Sequence, residues 1–392
     1  MKQLEKFFRI FFLCLILLFA TASQQAKAQQ EYMDSVEIGL ITCSPHEELY
    51  SLYGHCAVRY HDLHKGGMDL VFNWGVFNFA APNFLMHFIT GMTDYELAVS
   101  DFAPFCLYYK DWGSQVTEQV LNLTAAEKRE LARKLMENAQ PENKVYRYNF
   151  FYDNCTTRPR NIIERSIKGK IIYSDRQDYK PSYRQMIHEM NAHHPWAACG
   201  NDLLLGLTAD RPTDLRQQEF LPHNLLHDYE NAHIQTADGQ RPLVKERRII
   251  VKHGKQELEE GLPITPIQCA LVLAVIFALV LWWEVKHQRC LVWFDALYML
   301  ALGLAGCIVL IFFFSLHPTT STNLQILIFN PIHLFFIRSV LKRSHRALYW
   351  TLLMVLSCAL LMGSIIQDYA EGVEILALCL LSRSWSHRKF RQ

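Results

Sequence analysis

The chain has 392 residues, a formal net charge of +1, and is 51% hydrophobic but only 20% charged. Near-neutrality argues against an electrostatic nucleic-acid binder. The charged share is below the roughly 25% of an ordinary soluble domain, and the shortfall sits at the two ends of the chain.

Lys2, Lys6 and Arg9 precede an eleven-residue apolar run, Ile10 to Ala20, and Ala26-Lys27-Ala28 has the small-x-small form of a cleavage site. Residues 1–28 therefore read as a secretory signal peptide, with an uncleaved anchor as the lesser reading. Either way the next segment lies outside the cytoplasm. No cysteine follows the run in a lipobox position, so the chain does not read as a lipoprotein.

Residues 29–260 are mixed in character and read as an exported domain. "SLYGHCAVRYHD" (51–62) and "MDLVFNWGVFNF" (68–79) alternate as strands around a Gly66-Gly67 turn. Leu70, Phe72 and Trp74 fall on one face, Val71 and Asn73 on the other. His55 stands at the hairpin's entry; a lone histidine there more often just bonds a carbonyl. "FNFAAPNFLMHFITGM" reads as core packing or, second, as an amphipathic lip whose Phe77, Phe79, Phe84, Leu85, Phe88 and Ile89 face lipid.

"KVYRYNFF" reads as a strand, and "CTTRPRNIIERSI" as a helix capped by Asp153 or Asn154. Cys155 then lies near a helix N-terminus, where unpaired N–H groups and nearby Arg158 favour a thiolate. A buried cysteine or half a disulfide is the plainer reading of that stretch alone. A Cys at a helix start facing a strand His is the arrangement of papain-like thiol enzymes. Here His precedes Cys, the order of a circularly permuted fold. Asn73 is the candidate to orient the imidazole, with Asp69 and Asp62 as alternatives.

Of eleven cysteines, one lies in the signal segment, five in the membrane part, and five in the exported domain: Cys43, Cys56, Cys106, Cys155 and Cys199. The odd number leaves at least one unpaired within that domain. No zinc spacing appears, and no metal or soluble cofactor is expected.

Residues 261–392 change character. Apolar runs at Leu262–Trp283, Leu291–Phe314, Leu324–Ile337, Ala347–Ile366 and Val373–Leu381 predict about five membrane helices. The third, interrupted by Asn330-Pro331, and the short fifth need tilt or flanking residues to span. "EVKHQRC", "RSVLKRSHR" and the tail "SRSWSHRKFRQ" are basic, while "SLHPTTSTN" and "QDYAEG" hold no Lys or Arg. That alternation puts the exported domain outside and the C-terminus inside. Asp295 is expected to face the bundle interior, and Asn330 and Pro331 to serve function.

"SLYGHCAVRYHD", "DLVFNWGVFNFAAPNFLMHFITGMTDYEL" and "YNFFYDNCTTRPRN" together resemble the Lnb family of Bacteroidetes lipoprotein N-acyltransferases. The resemblance covers most of 31–235 and extends to "HPTTSTNLQILIFNPIHL". It implies an α+β, permuted papain-like (NlpC/P60-like) periplasmic domain followed by an α-helical bundle, all in the bacterial inner membrane. It places the family's cysteine on Cys155, its histidine on His55, the polar residue of FNxGxF on Asn73 and the arginine after YGH on Arg59. The family has an acidic residue where this chain has Asn161, and a tyrosine where it has Trp74.

The function so implied moves an acyl chain from a membrane phospholipid, through a Cys155 thioester, to the α-amine of a diacylglyceryl-cysteine on a lipoprotein. Tyr53, Arg59, Asn154, Arg158, His317 and Asn323 are the candidate substrate contacts. The alternative is a membrane-anchored thiol hydrolase, either phospholipase or peptidoglycan amidase. A non-catalytic protein with metal on His193-His194 or on His223 and His227 ranks third, because those histidines lack ligand spacing with a third partner.

Overall fold

The computed structural model describes residues 24, 27–28, 31–78, 80, 82–174, 176, 178–256, 261–343 and 347–390. The predicted signal peptide lies almost wholly outside the described residues, as do Phe79 and positions 257–260 at the expected domain boundary.

The exported part is α+β. Strands β1 (Val36–Cys43), β2 (His55–Asp62), β3 (Asp69–Val76), β4 (Asp94–Asp101), β5 (Val116–Leu121) and β6 (Val145–Arg147) belong to one antiparallel sheet. β7 (Lys170–Ile172), β8 (His233–Thr236) and β9 (Gly239–Pro242) form a second, small sheet. β10 (Val244–Val251) closes the large sheet, whose order is β10-β5-β1-β2-β3-β4-β6. Helices that accompany the strands are α1 (Phe84–Thr90), α2 (Phe102–Asp111), α3 (Ala125–Asn138), α4 (Thr157–Glu164), α5 (Tyr183–Met190), α6 (Pro195–Leu204), α7 (Leu215–Gln218) and α8 (Pro222–Asn231).

The expected hairpin forms, with Val58 opposite Phe72 and Tyr60 opposite Leu70. Side-chain alternation gives the sheet two buried faces. Ile38, Leu40, Val58, Phe72 and Trp74 pack against Leu131 and Leu135 of α3, Ile163 of α4 and Tyr229 of α8. On the other face Ile41, Ala57 and Val71 pack under Phe102, Phe105 and Tyr109 of α2. Burial on both faces explains why apolar Leu40 and Ile41 can stand side by side in β1. The strand expected over 144–151 stops at Arg147. Asn149 Oδ1 accepts the N–H groups of Phe151 and Tyr152, an Asx turn that bends the chain out of the sheet.

The C-terminal part is helical: α9 (Pro266–His287), α10 (Val292–Phe313), α11 (Ile332–Leu341), α12 (Ala347–Gly363) and α13 (Val373–Lys389). Among the described residues three segments are long and apolar enough to cross a membrane: Pro266–His287, Val292–Phe313 and Leu324–Leu341. The third is broken where expected. Asn330 Oδ1 accepts the Ile332 N–H, so this polar residue caps α11, a structural use rather than the functional one expected of it.

The short fifth run extends to Lys389 because its polar end is buried. Arg383 pairs with Glu284 of α9 and Asp295 of α10, and His387 with Asp295 at 2.7 Å. Asp295 thus faces the bundle interior, as expected. These contacts fix one end of the bundle. The other end meets the exported domain: the Gly206 N–H donates to Thr319 O at 2.7 Å, Gln325 Nε2 to Asp202 O at 2.7 Å, and Trp196 Nε1 to Ile264 O at 2.8 Å. Loop 314–323 and Gln367 both contact the exported domain, so both neutral or acidic loops lie on that side.

Candidate active site

Three segments converge at the end of the large sheet. β2 begins with His55, β3 carries Asn73 and Gly75, and the turn before α4 presents Cys155. Gly75 has a φ of +91°, and a Cβ there would stand 3.3 Å from the Cys155 Cβ. Glycine in FNWG therefore serves both the backbone and the close approach of the thiol. Gly54, at φ +75°, has the Cys43 carbonyl 2.8 Å from where a Cβ would sit, and it delivers His55 to the strand.

His55 Nε2–H donates to Asn73 Oδ1 at 2.5 Å. That leaves Nδ1 as the ring nitrogen available to the Cys155 sulfur, whose charge favours the imidazolium. Burial opposes charge on the Cys155 sulfur, but the His55 charge, bonds from His55 and the Cys56 N–H, and the Thr156 hydroxyl outweigh it; the thiol lies below its ordinary value. Burial likewise opposes the His55 imidazolium, yet Cys155 and Asn73 more than offset it and the value is raised. The couple is poised toward thiolate and imidazolium. Of the alternatives to Asn73, Asp69 is held by Arg59, and Asp62 bonds Tyr32 and His64.

Asn154 caps the helix that follows. Its Oδ1 accepts the N–H groups of Thr156 and Thr157, both at 2.9 Å, and its Nδ2 donates to the Phe150 and Phe220 carbonyls, both at 2.9 Å. Two helix-start N–H groups are thereby taken. The Cys155 N–H itself has no acceptor among the described residues.

The site opens into a cavity of about 1200 Å³. That is larger than the roughly 300–1,000 Å³ typical of small-molecule pockets. Its wall is mostly apolar and comes from both parts of the chain: Phe77, Phe84, Tyr95 and Tyr148 on one side, Phe312 and His317 at the top of α10 on another. Tyr53 lines it, its hydroxyl accepting from Asn191 and Asn201 at 3.0 and 2.8 Å. His317 lines it and donates from Nε2 to Phe88 O at 2.8 Å.

The other predicted substrate contacts are engaged by neighbouring groups of the chain instead. Arg59 is buried between Asp69 and Glu118, beneath the Phe102 ring. Arg158 is a two-pronged partner of Asp153 and lies over Tyr146. Asn323 is 2% exposed and joins Leu203 O, Gln325 and Gln367. Asn154 borders the cavity with its side chain fully engaged. At the departure from the family pattern, Asn161 Oδ1 accepts from Arg160 and Arg216, so the amide still serves as the acceptor there. Trp74, the other departure, is buried and donates to Asn138.

Two cavity residues escaped the sequence reading. His46 has its Nδ1–H on Ser51 Oγ at 2.8 Å, because the Ser51 proton is committed to backbone carbonyls. Burial, then the His55 charge, lowers it to about 4. Tyr148 stacks on Tyr95 at 4.1 Å beside Cys155. Neither lies in a recognisable local pattern; only the fold brings them to the thiol. All ten described cysteines are free. Among the described residues no cluster of three or more His, Cys, Asp or Glu is assembled to hold a metal.

Comparison with known families gives two matches. Residues 23–189 match the Lnb N-terminal periplasmic domain, and residues 257–392 match the Lnb transmembrane domain. No curated protein and no solved structure matches the chain.

Proposed function

The chain belongs to the Lnb family, and from that premise we propose that it is a lipoprotein N-acyltransferase working through Cys155. The observation that carries the reading is the Cys155–His55–Asn73 array opening into a large apolar cavity walled partly by the top of a membrane-length helix. A soluble peptide substrate does not call for such a wall; an acyl chain does.

In the first half-reaction the Cys155 thiolate attacks an ester carbonyl of a phospholipid. The tetrahedral oxyanion takes the Cys155 N–H. It collapses to a thioester as His55 gives its proton to the departing glycerol oxygen, releasing a lysophospholipid. In the second, the free α-amine of a diacylglyceryl-cysteine attacks the thioester. His55 removes the amine's proton, an amide forms, and the Cys155 thiolate is regenerated. Asn73 holds the imidazole so that Nδ1 serves both transfers. Tyr53 and His317 are the polar wall groups available to headgroups. The C-terminal part crosses the inner membrane five times, the two shorter helices included, with the catalytic domain in the periplasm.

The test is mass spectrometry of lipoprotein N-termini from cells lacking other N-acyltransferases and carrying wild type or Cys155→Ala. Wild type adds one amide-linked acyl chain and the variant none; identical termini at equal expression defeat the reading. A fatty acid released to water in place of amide product supports the thiol hydrolase instead.

A further inference from the structure

One edge of the cavity rim is built from a short helix, α1, that lies against the membrane part. In α1, Phe-Leu-Met-His-Phe-Ile-Thr, no residue is buried and none is acidic, lysine or arginine. Leu85 is 69% exposed and Phe88 43%, yet both also line the cavity, so the cavity opens between them and the outside. The helix is fixed to the end of α10. The Leu316 N–H donates to Thr90 O at 2.9 Å, and Gly91 abuts the His317 backbone so closely that a Cβ would stand 2.9 Å from its nitrogen.

Two apolar surfaces meet there. Ile308 and Ile311 of α10 are exposed, as are Phe314 and Leu316 just past its end and Met86 and Leu85 of α1, the helix that Leu316 bonds. That band belongs to a helix long and apolar enough to cross a membrane, so what covers it is lipid. Across the mouth Leu49 and Tyr50 are also exposed and line the cavity. Inward from the rim runs a ladder of near-parallel rings. Phe88 to Phe84 is 6.4 Å, Phe84 to Phe77 5.8 Å, Phe77 to Tyr95 4.9 Å, and Tyr95 to Tyr148 4.1 Å. Tyr148 closes the ladder next to Cys155.

We propose that α1 is the sill of a lateral portal, and that the ring ladder from Phe88 to Tyr148 is the site for one acyl chain of a glycerophospholipid taken sideways from the outer leaflet. The proposal rests on the acyl-transfer reading and adds the route and seat of the donor. Aromatic faces bury a methylene chain without demanding a fixed register along it. Their near-parallel stacking makes a smooth wall, and the thiol stands at its inner end, where the ester carbonyl of a seated chain arrives. The lipid need not leave the hydrocarbon phase to react.

The experiment uses the full chain reconstituted in vesicles of 16- to 18-carbon phosphatidylethanolamine and phosphatidylglycerol. Met86 and Leu316 are exposed and do not line the cavity. Met86→Asp with Leu316→Asp puts charge into the lipid-facing band while leaving the wall intact. Cys155 thioester formation, read as intact mass, slows about tenfold or more from the bilayer donor, since charge is costly at that depth. Loading from monomeric dihexanoyl phosphatidylcholine, supplied in water, is unchanged. Equal loss with both donors, or loss with neither, overturns the portal. If wild-type protein loads from neither donor, the acyl-transfer reading itself fails, an outcome the variants cannot mimic. In Cys155→Ala vesicles, a phosphatidylglycerol with a mid-chain diazirine crosslinks to residues 77–95; labelling confined to the outer faces of α9 and α10 overturns the ladder as the chain's seat.

Discussion

Asn154→Ala separates a positioning role from substrate contact. Two N–H groups, of Thr156 and Thr157, end on Asn154 Oδ1, and two carbonyls, of Phe150 and Phe220, receive its Nδ2. The residue is 3% exposed, so water cannot replace these bonds without rearrangement. Loss of the cap costs about 1 kcal/mol. Each orphaned carbonyl adds about 1 kcal/mol at the lower end of the usual penalty, for a total of about 3 kcal/mol. For a domain of 150–250 residues each kcal/mol moves the midpoint about 2–4 °C, so melting falls by roughly 6–12 °C. Thermal unfolding of the full-length protein in detergent, followed by near-ultraviolet circular dichroism, measures this. Asn154→Ser keeps the cap acceptor but neither donor and is expected to lose about two-thirds as much. An unchanged midpoint together with a raised KM for phospholipid would refute the reasoning, because it would mean that the amide holds substrate and not the turn.

Three further outcomes follow from the same geometry. In His55→Ala the charge and hydrogen bond that lower the Cys155 thiol are gone while burial remains. The pH of half-maximal iodoacetamide alkylation then rises by at least about one unit, and an unmoved profile would place the source of activation elsewhere. His46 is held at about 4 in the fold, whereas an unfolded imidazole binds its proton near 6.5. Its contribution to stability is complete above about pH 6.5 and is lost as pH falls through about 4. The urea midpoint should drop across that window in wild type and less in His46→Gln; equal drops would assign the acid sensitivity to other groups. Gly206→Ala would set a Cβ 2.2 Å from the Ser321 carbonyl, beside the Gly206–Thr319 bond that docks the two parts. Limited proteolysis near residues 205–210 should accelerate and acyl transfer should fall. Unchanged cleavage would mean that the docking tolerates the shift.

Much of the site was legible because its motifs are local. A histidine at a strand entry, a glycine before a bend and a thiol beside a helix cap each leave a mark within a dozen residues. Hydropathy announced the membrane part, and the Lys and Arg asymmetry of its loops set an orientation that the contacts of loop 314–323 and Gln367 with the exported domain now match. The readings that changed concern long polar side chains. Arg59, Arg158 and Asn323 look in sequence like groups free to meet a ligand. Each is paired within the chain, with Asp69 or Glu118, with Asp153, or with the backbone of Leu203.

The sequence by itself marked the break between the mixed part and the membrane part, the hairpin and the Cys–His pair, since each follows from periodicity, composition or a contiguous motif. Only the tertiary structure decided that Asn73, and neither Asp69 nor Asp62, reaches His55. That choice depends on position along the hairpin, since Asp62 and Asp69 lie at the end of β2 and the start of β3, far from His55, and on the partners that claim the two carboxylates. The fold alone also gathered Phe77, Phe84, Tyr95 and Tyr148 into one wall, and drew Glu284, Asp295 and Arg383 together across about one hundred residues. Contacts at such separations leave no local trace, because they are set by the packing of whole elements and not by the propensities of neighbouring residues.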